Sequence, residues 1–274
     1  MLQRYSLRAV DLAGARALIT GATGGIGAAI ARRLHARGAT VVLSGRQADV
    51  LERLRAELLD RAEVLPADLA DRDQVAALPE RAGKVDVLVA NAALPASGQL
   101  LGFDPDEIDR ALDVNLRAPI QLARALVPAM ADRGYGHLVF ISSLSGKAGS
   151  PGSSLYSATK FGLRGFALGL SEDLHSSGVG VTTVFPGFIR DAGMFHDSGA
   201  KLPRMVGTRT PTHVAKAVTK GIERNKLELD VAPIGIRIGT AIAGFAPSST
   251  AALQRRSGSH DISAAIARGQ ADKR

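Results

Sequence analysis

Residues 16–38 read Arg16-Ala-Leu-Ile-Thr-Gly-Ala-Thr-Gly-Gly-Ile-Gly-Ala-Ala-Ile-Ala-Arg-Arg-Leu-His-Ala-Arg-Gly38. Ala17–Ile19 is a short apolar run of the kind that forms a buried strand, and Gly21–Gly27 is a glycine-rich turn. Ile26, Ile30 and Leu34 then recur every four residues, one face of a helix, which Gly38 stops. Strand, glycine turn and helix make a unit suited to phosphate. Residues without side chains let the backbone approach a pyrophosphate, and the helix N-terminus supplies N–H groups and positive potential. Gly21, Gly25 and Gly27 are the spaced glycines of Thr-Gly-x-x-x-Gly-x-Gly, with Thr20, Thr23, Gly24 and Ile26 beside them. A glycine triplet alone signals only a tight turn. Its place after a strand, at a helix start and before a second strand points to a nucleotide cofactor.

The same alternation continues outward. Thr40–Ser44 reads as a second strand, with Val50, Leu51, Leu54 and Leu58 marking a helix behind it. Glu63–Ala67 reads as a third strand and Val85–Ala90 as a fourth, continuous and apolar. Asp104-Pro105-Asp106-Glu107 is a helix start, and that helix is expected to run to about Arg133, kinked or broken at Pro119. His137–Ser142 and Val179–Phe185 are expected strands flanking a helix over Leu155–Ser176. Thr212–Arg224 reads as a helix and Leu227–Val231 as a seventh strand. The fold class is therefore α/β: a single Rossmann-like, doubly wound parallel sheet of about seven strands with helices on both faces. Right-handed crossovers would bring the loops after the strands to one edge. Residues 1–12 read as an irregular leader, 13–246 as the nucleotide-binding domain, and 247–274 as a basic tail, mobile from Ser257.

Composition narrows the class. The 274 residues are 46% hydrophobic with a mean hydropathy of +0.09, as in a soluble globular chain. The lack of cysteine excludes disulfides, thiolate metal sites and thiol catalysis, and suits a reducing compartment; a cytoplasmic enzyme without a metal is expected. No run approaches the roughly 20 apolar residues of a membrane span. The net charge of +8 is read as a solvated basic surface, because no basic stretch is interleaved with stacking aromatics, and no nucleic-acid partner is expected.

The strand ends carry the chemistry. After the second strand an NAD-binding turn usually has a carboxylate for the ribose hydroxyls. This chain has Ser44-Gly45-Arg46. Arg46 can pair with a 2′-phosphate, so NADP(H) is favoured over NAD(H); otherwise Arg46 is a solvated residue at a helix start. Asp68, followed by Leu69, either accepts from an adenine amino group or caps the next turn. Asn91, followed by Ala92, is placed to hold backbone at the crevice. Of the three tyrosines, only Tyr156 has a lysine four residues on, Lys160, which puts phenol and ammonium on one helix face. A nearby cation is expected to acidify the phenol, so that it can exchange a proton with a carbonyl–alcohol pair. Ser142-Ser143 ends the fifth strand, and its hydroxyl can reach the same oxygen. None of the six histidines pairs by motif with a serine, which disfavours serine as nucleophile.

These motifs resemble the short-chain dehydrogenase/reductases over about residues 12–232. The resemblance rests on Thr20–Gly27, Asn91-Ala92-Ala93, Asn115, Ser143, Tyr156-Ser-Ala-Thr-Lys160 and Pro186-Gly187. It implies that Tyr156 is the general acid/base, that Lys160 binds the nicotinamide ribose and tunes Tyr156, and that Ser143 hydrogen-bonds the substrate oxygen. It implies further that Asn115 holds a water linking Lys160 to solvent, and that Pro186, Gly187 and Ile189 lie along the nicotinamide. Two positions depart from the pattern: Ala93 stands for the usual glycine, and Asp191 for a threonine that would both donate to and accept from the carboxamide. The implied reaction is reversible hydride transfer between a nicotinamide and a small-molecule carbonyl or secondary alcohol, with NADP(H) suggesting reduction.

A cofactor-binding regulator with the same fold is the rival reading, disfavoured by the intact Ser143, Tyr156 and Lys160. Sugar-nucleotide epimerases share Tyr-x-x-x-Lys but space their glycines differently. Phe188–Thr210, with Met194, Phe195, His196, Lys201, Leu202 and Met205, is the expected substrate lid, and its apolar members suit a lipophilic substrate. The resemblance also implies a homodimer or homotetramer. Ile234–Phe245, apolar apart from Arg237, is expected to pack on its own sheet rather than on another subunit or a membrane surface.

Overall fold

Short β-branched runs become strands, and the residues between them supply apolar stripes that cover both faces. The computed structural model describes residues 9–200, 206–248, 250 and 259–270. The strands are β1 (Arg16–Ile19), β2 (Thr40–Leu43), β3 (Ala62–Val64), β4 (Val87–Ala90), β5 (Gly136–Ile141), β6 (Val179–Pro186) and β7 (Glu228–Val231). They form one sheet in the order β3-β2-β1-β4-β5-β6-β7, and every pairing is parallel. The helices are α1 (Gly25–Ala36), α2 (Ala48–Leu58), α3 (Arg72–Ala82), α4 (Pro105–Leu112), α5 (Ala118–Asp132), α6 (Ser154–Asp173), α7 (Met194–Asp197), α8 (Pro211–Arg224), α9 (Ile234–Phe245) and α10 (Ser259–Arg268).

Alternate residues of the strands feed two cores. Ile19, Val41 and Val89 pack with Ile30 and Leu34 of α1 and Val214, Val218 and Ile222 of α8. Leu18, Val42, Leu88, Leu138 and Phe140 pack with Leu78 of α3, Leu122 of α5 and Leu163 of α6. Burial on both faces explains why the strands read as unbroken apolar runs. The strand order reverses direction between β1 and β4, which opens a crevice beyond their carboxyl ends.

Several expectations are corrected. The fourth strand begins at Val87, because Asp86 turns to its neighbours: its Oδ2 accepts from Arg16 N at 3.0 Å, and Arg133 Nη2 lies 3.4 Å from Oδ1. The third strand is only Ala62–Val64, and chain pairing beyond it continues irregularly through Leu65 N to Leu43 O and Ala67 N to Gly45 O. α3 was not expected from sequence; Asp71 caps it by accepting from Asp73 N and Gln74 N, and Val75, Leu78 and Ala82 are its buried stripe. The break in the long helix falls before Pro119, in a π turn at Asp113–Arg117, which leaves Pro119 in the opening turn of α5 where a missing N–H costs least.

The end of the expected leader is part of the core, with Val10 and Leu12 buried; residues 1–8 lie outside the described residues. α9 does not bury itself in the sheet. Ala243 is its buried residue, while Ile234, Ile238, Ile242 and Phe245 are exposed. Ser259–Arg268 is helical where the sequence suggests a mobile tail. No described helix is long and apolar enough to cross a membrane.

Candidate active site

The glycine turn is built by exclusion of side chains. A Cβ on Gly27 would stand 2.2 Å from Gly21 O, and one on Gly21, at φ +67°, would stand 2.7 Å from Ala92 Cα. The ends of β1 and β4 are tied across the crevice. Asn91 Nδ2 donates to Thr20 O at 3.0 Å and Gly21 O at 3.1 Å, while Thr20 Oγ1 accepts from Asn91 N and Ala92 N. Beside this turn lies a cleft of about 490 Å³. Thr20, Gly21, Thr23, Gly24, Gly25, Ile26 and Gly27 line it, together with Arg46, Asp68, Leu69, Asn91 and Ala92.

Arg46 is exposed at the cleft and pairs with no carboxylate among the described residues. Asp68 caps the following turn, its Oδ1 accepting from Ala70 N at 3.0 Å, while still lining the cleft. Ser44, also in the wall, keeps a buried hydroxyl with no hydrogen-bond partner. A backbone cradle that a Cβ would fill, a helix N-terminus, an orphaned hydroxyl and an unpaired guanidinium fit a dinucleotide phosphate group.

Ser143, Tyr156 and Lys160 meet where β5 ends against α6. Ser143 follows β5, and its Oγ accepts from Ser145 N at 3.1 Å, which leaves its own hydrogen to donate. It stands beside Tyr156 on the first turn of α6, close enough to pull the phenol pKa downward. Lys160 lies one turn on, buried, with Nζ 5.7 Å from the Tyr156 ring centre. Lys160 Nζ donates to Ile141 O at 3.0 Å, and Ser142 Oγ donates to Lys160 O at 3.1 Å, so α6 is stitched to the end of β5. Gly146 permits this closeness, since a Cβ there would lie 2.6 Å from Lys160 O.

The expected acidification of the phenol is not what this geometry produces. Burial pushes Tyr156 up to about 12, against a smaller downward pull from Ser143. Burial also lowers Lys160 to about 8, and its ammonium is turned to Ile141 O rather than to the phenol oxygen.

Asn115 is fully buried in the π turn. Its Oδ1 accepts from Leu94 N at 2.6 Å and its Nδ2 donates to Leu94 O at 3.0 Å, so the side chain pins the loop after β4. The π turn presses on α6, where a Cβ at Gly162 would lie 3.1 Å from Leu116 Cδ2.

Tyr156 and Ser143 face a second cavity of about 410 Å³. Leu144, Pro151, Phe188, Phe195, Val206 and Ile236 make its apolar wall, and Gly187 is also part of it. Met194 lines both spaces, so cleft and cavity adjoin. Lys160, Asn115, Pro186 and Ile189 stand behind these surfaces rather than in them. Of the expected lid, Met194 and Phe195 reach the cavity, whereas Lys201, Leu202 and Met205 lie outside the described residues. Asp191 sits at φ +71°, 3.6 Å from Arg190 Nε by its Oδ2. Sequence reasoning missed Ser44, Val114 and Asp197 in the cleft, and Ile236, Thr240, Ser263, Ile266 and Gln270 in the cavity. Only Ser44 had a local signal, as the last residue of a strand beside the glycine turn. Among the described residues no group of three metal-ligating side chains occurs.

Comparison with known proteins agrees with this architecture. Residues 15–203 match the short chain dehydrogenase family. The chain is 42% identical over 186 residues to nodulation protein G of a Rhizobium species, covering 66% of this chain and 76% of that one. It is 38% identical over 181 residues to 3-oxoacyl-(acyl-carrier-protein) reductase FabG of Rickettsia conorii, covering 66% and 75%. Among solved structures, a short-chain dehydrogenase from Sphingobium yanoikuyae in complex with NADPH superposes with a TM-score of 0.73 at 30% identity, over 85% of this chain and 96% of that one. The chain belongs to the short-chain dehydrogenase/reductase family.

Proposed function

We propose that this enzyme reduces a small carbonyl compound to a secondary alcohol with NADPH, and runs the reverse reaction with NADP+. It is an oxidoreductase of its family, acting on carbonyl or alcohol groups. The observation that carries the finer reading is that Tyr156 and Ser143 together face a cavity that adjoins the glycine-turn cleft. The cofactor, when bound, supplies or accepts the hydride. The glycine turn and the N-terminus of α1 bind its pyrophosphate, and Arg46 holds the 2′-phosphate. Asp68, Leu69, Asn91 and Ala92 flank the adenosine half, and Pro186, Gly187 and Ile189 back the nicotinamide.

Tyr156, protonated at neutral pH as a phenol is, and made a weaker acid by burial, is the group that donates to the carbonyl oxygen. Ser143, whose Oγ accepts from Ser145 N, turns its one hydrogen from Tyr156 to the substrate oxygen when the carbonyl enters. Lys160, whose burial makes its ammonium a stronger acid than that of a free lysine, gives up the proton that replaces the one lost by Tyr156, and Asn115 fixes the wall beside it. The NADPH-bound relative supports the cofactor choice by similarity. Exposed Phe161 and Leu168 on the outer face of α6 suit a homo-oligomer contact.

The test is a panel of ketones and β-keto esters with NADPH, run on the native chain and on Tyr156→Phe. The variant should keep NADPH affinity and lose turnover by about 10²–10⁴-fold. NADPH binding with no turnover of any compound by the native chain would favour a cofactor-bound regulator.

A further inference from the structure

The part of the chain beyond the family match reaches the reactive centre. Ser263, Ile266 and Gln270 are spaced three and four residues apart, so they share one side of α10 and of the turn that follows it. All three line the cavity that Tyr156 and Ser143 face. α10 is in contact at its middle and just past its end. At the middle, Ser263 Cβ lies 3.8 Å from where a Cβ on Gly152 would stand, in the loop that leads into α6. Past the end, Gly269 passes the backbone of Ser198 so closely that a Cβ would collide with Ser198 O. Gln270 Nε2 donates to Met194 O at 3.0 Å, tying the segment to α7. The segment thus straddles the cavity, from the loop before α6 to the segment after β6.

Gln270 is 3% exposed. Because its amide nitrogen must be the atom facing the Met194 carbonyl, the other atom is the oxygen. That Oε1 is buried and has no hydrogen-bond partner. An acceptor left so is costly, and a ligand donor is the natural group to satisfy it. Leu144, Pro151, Phe188, Phe195 and Ile266 supply the apolar part of the remaining wall, with serine hydroxyls of the loop after β5 and Thr240 between them. A cavity of about 410 Å³ holds a small ligand rather than an extended chain.

We infer that α10 and Gln270 are the selectivity wall of the substrate pocket, and that the substrate is a compact, largely apolar ketone carrying one hydroxyl or amide N–H that donates to Gln270 Oε1. The inference rests on the oxidoreductase reading for its chemistry but not for its geometry. Ile266 sets the length of the apolar body, and Gln270 reads the donor.

The test uses methyl ketones of rising chain length, each paired with a hydroxylated counterpart. Turnover is measured with NADPH. Binding is measured by calorimetry in the presence of NADP+, where no ketone can be reduced. Gln270→Met should cut the preference for the hydroxylated member of each pair by about tenfold, the value of one hydrogen bond. Ile266→Ala should move the length optimum upward, and a chain ending at Gly258 should lose the length limit. Unchanged preference and length optimum in both point variants would overturn the inference, as would one common factor of loss on every ketone, the mark of a scaffold role. Ketones that bind with this selectivity but are never reduced would uphold the wall and refute the oxidoreductase reading. Ketones that neither bind nor react with the full chain would refute the wall.

Discussion

The glycine-turn cleft and the cavity that Tyr156 faces meet at Met194 but are made in different ways. The cleft is a backbone object. Its shape comes from the ends of parallel strands, from glycines that admit no Cβ, and from Asn91 bonding main-chain carbonyls. The cavity is a side-chain object, assembled from the loops after β5 and β6, one flank of α9, and α10. A backbone site tolerates almost no substitution but takes any ligand with the right phosphate geometry. A side-chain site tolerates substitution gradually and takes its selectivity from each residue. One fold can therefore keep its cofactor while its substrate changes.

That contrast is broken most sharply at Gly27. Gly27→Ala places a methyl where Gly21 O already stands. We expect about 1–3 kcal/mol loss of stability from overpacking and about a hundredfold loss of NADPH affinity, read by thermal denaturation and cofactor fluorescence. Near-native affinity would show that the turn yields more than its geometry implies.

Lys160 stands at the boundary of the two regions. Its folded value of about 8 lies below the ordinary 10.5, so between these pH values the unfolded chain holds the extra proton and stability rises with pH. Below about pH 8 both states carry the charge, and the folded protein bears the full cost of the buried ammonium. Lys160→Met should raise stability at pH 7 by up to about 3 kcal/mol, less the hydrogen bond lost to Ile141 O, while abolishing turnover. Its stability curve should also be flat between pH 8 and 10.5 in denaturant titrations. A slope equal to the native one would assign the pH dependence to another group.

The smallest expected effect is also the most selective. Arg46→Ala should weaken NADPH by about 10- to 100-fold through loss of a charge-assisted contact, and leave NADH within about twofold. Equal losses for both would remove Arg46 from the 2′-phosphate site.

The elements that repeat with a short period were legible from the residues. Strand β1, the glycine turn and helix α1 depend on contacts between near neighbours, and so do the Asp104–Glu107 helix start and the Tyr156–Lys160 pair. Asp86 was misread because an apolar run conceals a carboxylate whose partners, Arg16 and Arg133, lie far along the chain. The phenol was misread for a related reason. Four-residue spacing places Lys160 on the right face, but burial and the Ile141 carbonyl decide where the ammonium points and which way each group shifts.

Residue order alone was enough for a doubly wound sheet and for the surface that would meet a dinucleotide, because both follow from local periodicity and from the steric freedom of glycine. It was silent on the far wall of the cavity that Tyr156 faces. Ile236, Ile266 and Gln270 come within reach of Tyr156 only after the chain has crossed the sheet, and no spacing rule links residues so far apart. Their convergence is set by how α9 and α10 pack after the strands are in place. Packing over such separations is a property of the whole folded volume, not of any stretch of it.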